Sequence, residues 1–234
     1  MKTYILFLEF GLYMIGCYFK KIKYNSLKKN SPKEAEEFLS KLVREWSEFI
    51  VKKVPMEVEI SGIENIPEDP CLFAANHQSL LDIPVMLYAI PRTIGVVAKK
   101  ELMKSPSITF WMREIKCVFI DRQNPREGIK AIIEGSNNLK EGHSMLIFPE
   151  GTRSRVSNMN EFKKGSLKMA LKSGRPIVPV TLDGTYKSYE GNNNKLQKSK
   201  VKVVFHKPIY VDNLSKEEKD NIHLTVGEIV KSAI

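Results

Sequence analysis

Met145-Leu146-Ile147-Phe148 runs without a break into Pro149-Glu150-Gly151-Thr152-Arg153-Ser154. Four consecutive apolar residues lack the alternation of a strand with one wet face, so they read as a strand covered on both faces. Similar short runs recur near residues 56–60, 71–76, 93–98, 117–120, 176–182 and 201–206. Helical patterns fall between them, near 79–90, 106–114, 126–140 and 162–173, with a last one near 215–232. Strands that alternate with helices predict an α/β fold, a mixed, mostly parallel sheet flanked by helices. Residues 186–200, with Asn192-Asn193-Asn194 and four lysines, read as a polar loop.

The loop after the 144–148 strand is suited to an anion. Gly151 permits close backbone approach. Arg153 can grip a phosphate through two parallel hydrogen bonds. Thr152 adds a hydroxyl donor, and Glu150 can order either the loop or a substrate hydroxyl. Alone, the same residues also make a β-turn with a solvated arginine. His77 lies 71 residues before Phe148, in Asn76-His77-Gln78-Ser79-Leu80-Leu81-Asp82. A parallel strand ending at Asn76 delivers His77 to the carboxyl edge of the sheet, where open α/β sheets bind ligands. If all six residues were helical, His77 and Asp82 would point about 140° apart. With His77 in the loop and Asp82 in the first helical turn, the two meet. Asp82 then accepts from one imidazole nitrogen and leaves the other as a base. Ser79-x-x-Asp82 is also a capping-box pattern, so the aspartate has a purely structural alternative.

Taken together, His77-x4-Asp82 and Phe148-Pro-Glu-Gly-Thr-Arg-Ser154 resemble the glycerolipid acyltransferases, specifically the 1-acylglycerol-3-phosphate acyltransferases. The resemblance covers roughly residues 56–211. It implies that the histidine deprotonates an acceptor hydroxyl, which attacks an acyl thioester directly, with no acyl-enzyme. It implies transfer from acyl-carrier protein or coenzyme A to the sn-2 hydroxyl of lysophosphatidic acid, giving phosphatidic acid. Glycerol-3-phosphate and other lysophospholipids are the alternative acceptors, and a non-catalytic membrane-binding module is the alternative of another class.

Further blocks follow the same resemblance. Val118-Phe119-Ile120-Asp121-Arg122 is similar to the block whose arginine contacts the acceptor phosphate, although Lys116 stands where the family usually has glycine. Asp121 pairing with Arg122 is the plain alternative. Ala98-Lys99-Lys100-Glu101-Leu102 matches the basic-Lys-x-Glu-Leu stretch that follows a strand in this family, which implies that one of the lysines, with Lys100 as the candidate, faces the phosphate; plain surface charge is the alternative. Pro176-Ile177-Val178-Pro179-Val180 resembles the block that shapes the acyl or acceptor pocket.

The chain has 234 residues, room for one sizeable core. Its 37 basic and 27 acidic residues leave a net charge of +10, which points to an anionic partner. No zinc-finger spacing or RNP-type motif appears, so an anionic membrane and phosphorylated substrates are expected rather than nucleic acid. Cys17, Cys71 and Cys117 form no C-x-x-C pair and are odd in number, which argues against a disulfide framework or thiolate zinc site. Cys117, as a rival nucleophile, sits in a run that reads as a buried strand. His143, His206 and His223 lack metal-ligand spacing, and no metal is expected. No Gly-x-Gly-x-x-Gly or Walker sequence appears, so no bound nucleotide cofactor is expected.

The N-terminus reads as a membrane element. Residues 4–19 hold 13 apolar residues of 16, with Glu9 near the middle, and Lys20, Lys21, Lys23, Lys28 and Lys29 follow. Sixteen helical residues span about 24 Å, short of a hydrocarbon core of about 30 Å. Monotopic insertion or a short span is expected, at the cytoplasmic face of the cell membrane. An export leader is disfavoured by Glu9 and by the lack of an Ala-x-Ala site. An ordinary core helix remains the alternative. A second helix is marked by Ser31, Pro32 and Glu34, which predict an N-cap with a capping box. Its stripe of Phe38, Leu39, Leu42, Val43, Trp46, Phe49 and Ile50 predicts a core face or an aromatic edge in the membrane interface. The expected division is a membrane-associating element over residues 1–53 and an α/β domain over 54–234.

Overall fold

A computed structural model describes residues 3–121 and 124–234. The chain opens with two long helices, α1 (Thr3–Asn30) and α2 (Pro32–Lys53). Then come β1 (Met56–Ser61), β2 (Leu72–Ala75), α3 (Asp82–Ala89), β3 (Gly95–Lys99), α4 (Pro106–Glu114), β4 (Val118–Ile120) and α5 (Pro125–Lys140). The rest is β5 (Met145–Ile147), α6 (Lys168–Ser173), β6 (Ile177–Asp183), β7 (Ser199–Phe205) and α7 (Lys216–Lys231). The seven strands form one sheet in the order β1-β7-β6-β2-β5-β3-β4. Every neighbouring pair is parallel except β6 and β7. The predicted mixed, mostly parallel sheet is therefore the observed one.

The central strands are covered on both faces. Phe73 and Ala75 of β2 and Leu146 of β5 enter one apolar cluster, and Phe148 just beyond β5 joins it. Leu72, Ala74, Met145 and Ile147 enter a second cluster on the opposite face. Successive side chains of a strand point to opposite sides, so an unbroken apolar run is what two-sided burial requires. The first cluster extends through Leu39 and Val51 of α2 to Leu6 and Tyr24 of α1.

The helices α1 and α2 form an antiparallel hairpin. Glu9 pairs with Lys53 at 2.8 Å, Tyr13 stacks on Phe49 at 4.6 Å, and Lys20 pairs with Glu45 at 2.9 Å. Glu9, the charge inside the apolar segment, thus faces its partner helix. Tyr24 packs on Phe110 and Trp111 of α4 and donates to Glu114 at 2.7 Å, which ties the hairpin to the rest of the fold. On the outer side Leu8, Leu12, Ile15, Phe19 and Ile22 stand exposed. Their spacing of four and three residues puts them on one face.

Two expectations need correction. The first helix does not stop near residue 19 but runs 28 residues to Asn30. Even so, among the described residues no helix is long and apolar enough to cross a membrane, which removes the short-span reading. Ser31 does sit at the N-cap of α2 with Pro32 following, but its side chain makes no cap hydrogen bond. Its amide donates to Leu27 O at 2.7 Å, closing α1, so it is taken before Glu34 can reach it. The stripe of α2 takes the core-face alternative, with Leu39 in the first cluster and Phe38, Val43, Trp46 and Ile50 packed against it. A smaller shift concerns α6, which begins at Lys168 and not near 162, because Gly165 with φ of +90° breaks the helical path.

Candidate active site

The strands β6, β2, β5 and β3 are adjacent and parallel, so their carboxyl ends share one edge. The loops leaving the first three strands meet there. His77 follows β2, as predicted, and Asp82 is the first residue of α3. His77 Nδ1 lies 2.6 Å from Asp82 Oδ2. The same oxygen accepts from the amides of Gln78 at 2.7 Å and Ser79 at 2.9 Å, and Oδ1 accepts from Thr185 Oγ1 at 2.5 Å. Asp82 is fully buried, so this set of donors is what keeps an unsolvated carboxylate tolerable. The dyad and capping readings therefore coincide in part. The carboxylate reaches back to the Ser79 amide as a capping box would, while the Ser79 hydroxyl turns elsewhere.

With Nδ1 directed at Asp82, the lone pair of a neutral imidazole lies at Nε2. The ring stacks on Phe148 at 4.0 Å, which fixes its plane. The backbone fixes its position too, since His77 N donates to Glu150 Oε1 at 2.5 Å. Glu150 Oε2 accepts from the amide and the Nδ2 of Asn160, both at 2.8 Å. Glu150 thus orders the loops. Burial pushes its carboxyl above the usual range, and these hydrogen bonds pull the other way.

The loop after β5 lies alongside the histidine loop, for Ser154 N donates to His77 O at 2.8 Å and Arg155 N to Gln78 O at 3.2 Å. Gly151 has a φ of +73°, the left-handed region that favours glycine. Thr152 is exposed and Arg153 half-buried. Arg153 Nη1 donates to Glu190 Oε1 at 2.8 Å.

A cavity of about 330 Å³ opens between the hairpin and the sheet. Leu6, Phe10 and Met14 of α1, Trp46 of α2 and Trp111 of α4 contribute to its wall. Leu80 and Leu81, three and four residues past His77, carry that wall to the dyad. Cys117 also lines it, accepts from Val96 N at 3.4 Å, and has its thiol pushed up to about 12 by burial. A thiol so protonated is a poor nucleophile.

The Acyltransferase family model matches residues 57–183, more than half of the chain. The chain belongs to the acyltransferase family. A probable 1-acyl-sn-glycerol-3-phosphate acyltransferase of Mycoplasma pneumoniae is 33% identical over 226 residues, 91% of this chain and 83% of that protein. A chloroplastic 1-acyl-sn-glycerol-3-phosphate acyltransferase of Brassica napus is 36% identical over 172 residues, 71% of this chain. The match spans only 50% of that longer protein. The crystal structure of PlsC, the 1-acyl-sn-glycerophosphate (LPA) acyltransferase of Thermotoga maritima, superposes with a TM-score of 0.81 at 31% identity. It covers 92% of this chain and 86% of that one.

Not every expected residue of this acyltransferase-family chain joins the cluster. Lys100 is exposed in the turn after β3, and among the described residues it has no hydrogen bond or ion pair to the dyad or to Arg153. Arg122 lies outside the described residues, and with it the Asp121–Arg122 pair. The 176–180 block does not line the cavity. Val178 and Val180 are sheet core, and it is the loop beyond β6 that reaches the site, through Thr185 and Glu190. Neither residue was singled out from the sequence, because they sit in a polar stretch without a motif. Gln78 was also missed. Its Oε1 accepts from Gly184 N at 2.9 Å, fastening that loop to the dyad.

Proposed function

We propose that this chain transfers an acyl group from an acyl-carrier-protein or coenzyme A thioester to the sn-2 hydroxyl of 1-acylglycerol-3-phosphate, making phosphatidic acid. The observation that carries the reading is the location of His77. Asp82 holds its Nδ1, the loop of Arg153 lies against its backbone, and Leu80 and Leu81 just beyond it line the apolar cavity. An acyl chain suits the cavity, and a phosphate monoester suits Gly151, Thr152 and Arg153. His77 Nε2 takes the proton of the acceptor hydroxyl as that oxygen attacks the thioester carbonyl. The carbon–sulfur bond then breaks, the thiolate leaves, and the proton passes from the imidazolium to it. Asp82 stabilises the imidazolium in between. Glu150 keeps the loops in register, and Lys100 adds positive potential at the sheet edge.

The first 53 residues act in this reading as the membrane-associating element. The exposed face of α1 enters one leaflet from the cytoplasmic side, and the lysines from Lys20 to Lys29 meet anionic headgroups. Turnover of an acyl thioester with lysophosphatidate is the test, read as thiol release and as mass-identified phosphatidic acid. His77→Ala should lose about 10²–10⁴-fold in rate while still binding lysophosphatidate. Near-normal turnover in that variant would remove the mechanism. Absence of turnover in the unaltered protein with every acceptor of a lysophospholipid panel would remove the function.

A further inference from the structure

Glu190 joins the loop after β2 to the Arg153 guanidinium through a single side chain. It lies in the turn after β6, with only 6% of its side chain exposed. Oε1 accepts from Arg153 Nη1 at 2.8 Å and from Leu80 N at 2.9 Å, and Oε2 accepts from Ser79 Oγ at 2.5 Å. One of its partners is therefore the cation of the anion loop, and the other two sit just past His77. The loop that carries it is itself held. Tyr189 N donates to Tyr186 O at 3.2 Å and Gln197 N to Ser188 O at 3.1 Å, while Tyr189 packs into the wall of the cavity.

We propose that Glu190 is a positioning residue of the acceptor site, which holds the Arg153 guanidinium in the orientation that receives the acceptor's phosphate. A solvated arginine on a loop loses side-chain entropy when it engages a ligand. Here part of that cost is met in advance, because Nη1 is anchored by a carboxylate that two neighbouring donors fix in place. The planar fork has five N–H donors, so one anchored nitrogen leaves others for a phosphate. The carboxylate has a second effect. It offsets the arginine's charge, so the loop recognises phosphate by direction more than by net charge. The inference rests on Arg153 being the acceptor-phosphate group, as in the proposed function.

The test is a double-mutant cycle in steady-state kinetics with lysophosphatidate and an acyl thioester. Glu190→Gln keeps the shape and removes the charge. It should raise the acceptor KM about tenfold, which is about 1.4 kcal/mol, with kcat and thioester KM within about threefold. In an Arg153→Ala background the same substitution should no longer change the acceptor KM. Glu190→Asp, which withdraws the carboxylate but keeps the charge, should act in the same direction and serves if the glutamine variant does not fold. A lowered acceptor KM would overturn the proposal, since Glu190 would then be competing with phosphate for Arg153. An equal effect with and without Arg153 would also overturn it and assign Glu190 to the Ser79–Leu80 turn alone. If Arg153→Ala by itself leaves the acceptor KM unchanged, the reading of the acceptor site fails first, and the Glu190 inference falls with it.

Discussion

Replacing Asp82 with asparagine separates what the carboxylate does for the fold from what it does for the histidine. Three donors converge on Oδ2: His77 Nδ1, Gln78 N and Ser79 N, and Thr185 Oγ1 donates to Oδ1. An asparagine has one acceptor oxygen. The two amides can only donate, so that oxygen must occupy the Oδ2 position. The new Nδ2 then faces Thr185, whose hydroxyl must turn to accept. Hydrogen bonds to a charged group contribute about 1.5–3 kcal/mol against about 0.5–1.5 for neutral ones. Three bonds weakened by about 1 kcal/mol each, less the relief of burying no charge, leave a loss of about 2–3 kcal/mol. In a domain of this size that lowers Tm by about 5–10 °C. The oxygen still accepts from Nδ1–H, so the tautomer that presents Nε2 as base survives. What disappears is the negative charge beside the imidazolium. The rate per folded molecule should therefore fall at the low end of general-base losses, about 10²-fold. Thermal unfolding and thiol release measured on the same preparation give both numbers. A lowered Tm with an unchanged rate per folded molecule would refute the reasoning and leave Asp82 as a cap. A loss beyond 10⁴-fold would also refute it, because the side chain would then have turned its amide toward His77.

Three further outcomes are expected. Lys116 has a φ of +62° at the end of α4, where Cys117 N donates to Met112 O and Lys116 N to Arg113 O, a Schellman ending that favours glycine; Lys116→Gly should raise stability in urea unfolding by up to about 1 kcal/mol, and a loss would show that the lysine side chain matters more than its backbone. Burial, then Lys202, holds the His206 imidazole below its ordinary value, so the unfolded chain takes up the proton first; stability should fall as pH drops from about 6.5 toward that lower value, and His206→Gln should flatten this slope in pH-dependent melting. Changing Leu12, Ile15 and Phe19 together to glutamine should release the protein from anionic liposomes in flotation while Tm stays put, because these side chains touch solvent rather than core; equal flotation would place the membrane surface elsewhere.

Much of the fold could be read from the chain because two-sided burial leaves apolar runs that are hard to mistake. Strands β1 to β7 fall within two residues of the expected positions, and α4 matches at both ends. The pairing of His77 with Asp82 was legible because the strand-to-helix turn leaves few places for a residue five positions on. What escaped depends on contacts far apart in sequence. Glu190 lies 37 residues from Arg153 and 111 from Ser79, in a segment whose composition says only that it is wet. The unused capping box of Ser31 escaped for a different reason. The amide was claimed by the preceding helix, and a pattern of side chains carries no record of that. The lysine at 116 was a departure visible in the sequence, and its left-handed backbone shows that the turn persists without the glycine.

The docking of the hairpin has a consequence for how the chain is made. Tyr24 binds Glu114 across 90 residues, and Lys28 binds the same acid across 86. At about 5–20 residues per second, synthesis takes on the order of ten seconds to supply that partner. For much of this interval α1 and α2 are already made, while α4 and most of the sheet are not. Both sides of the nascent hairpin are then apolar. A membrane surface that receives the outer side would also keep the hairpin from other nascent chains, so the lipid would serve as a folding partner before it serves as a source of substrate.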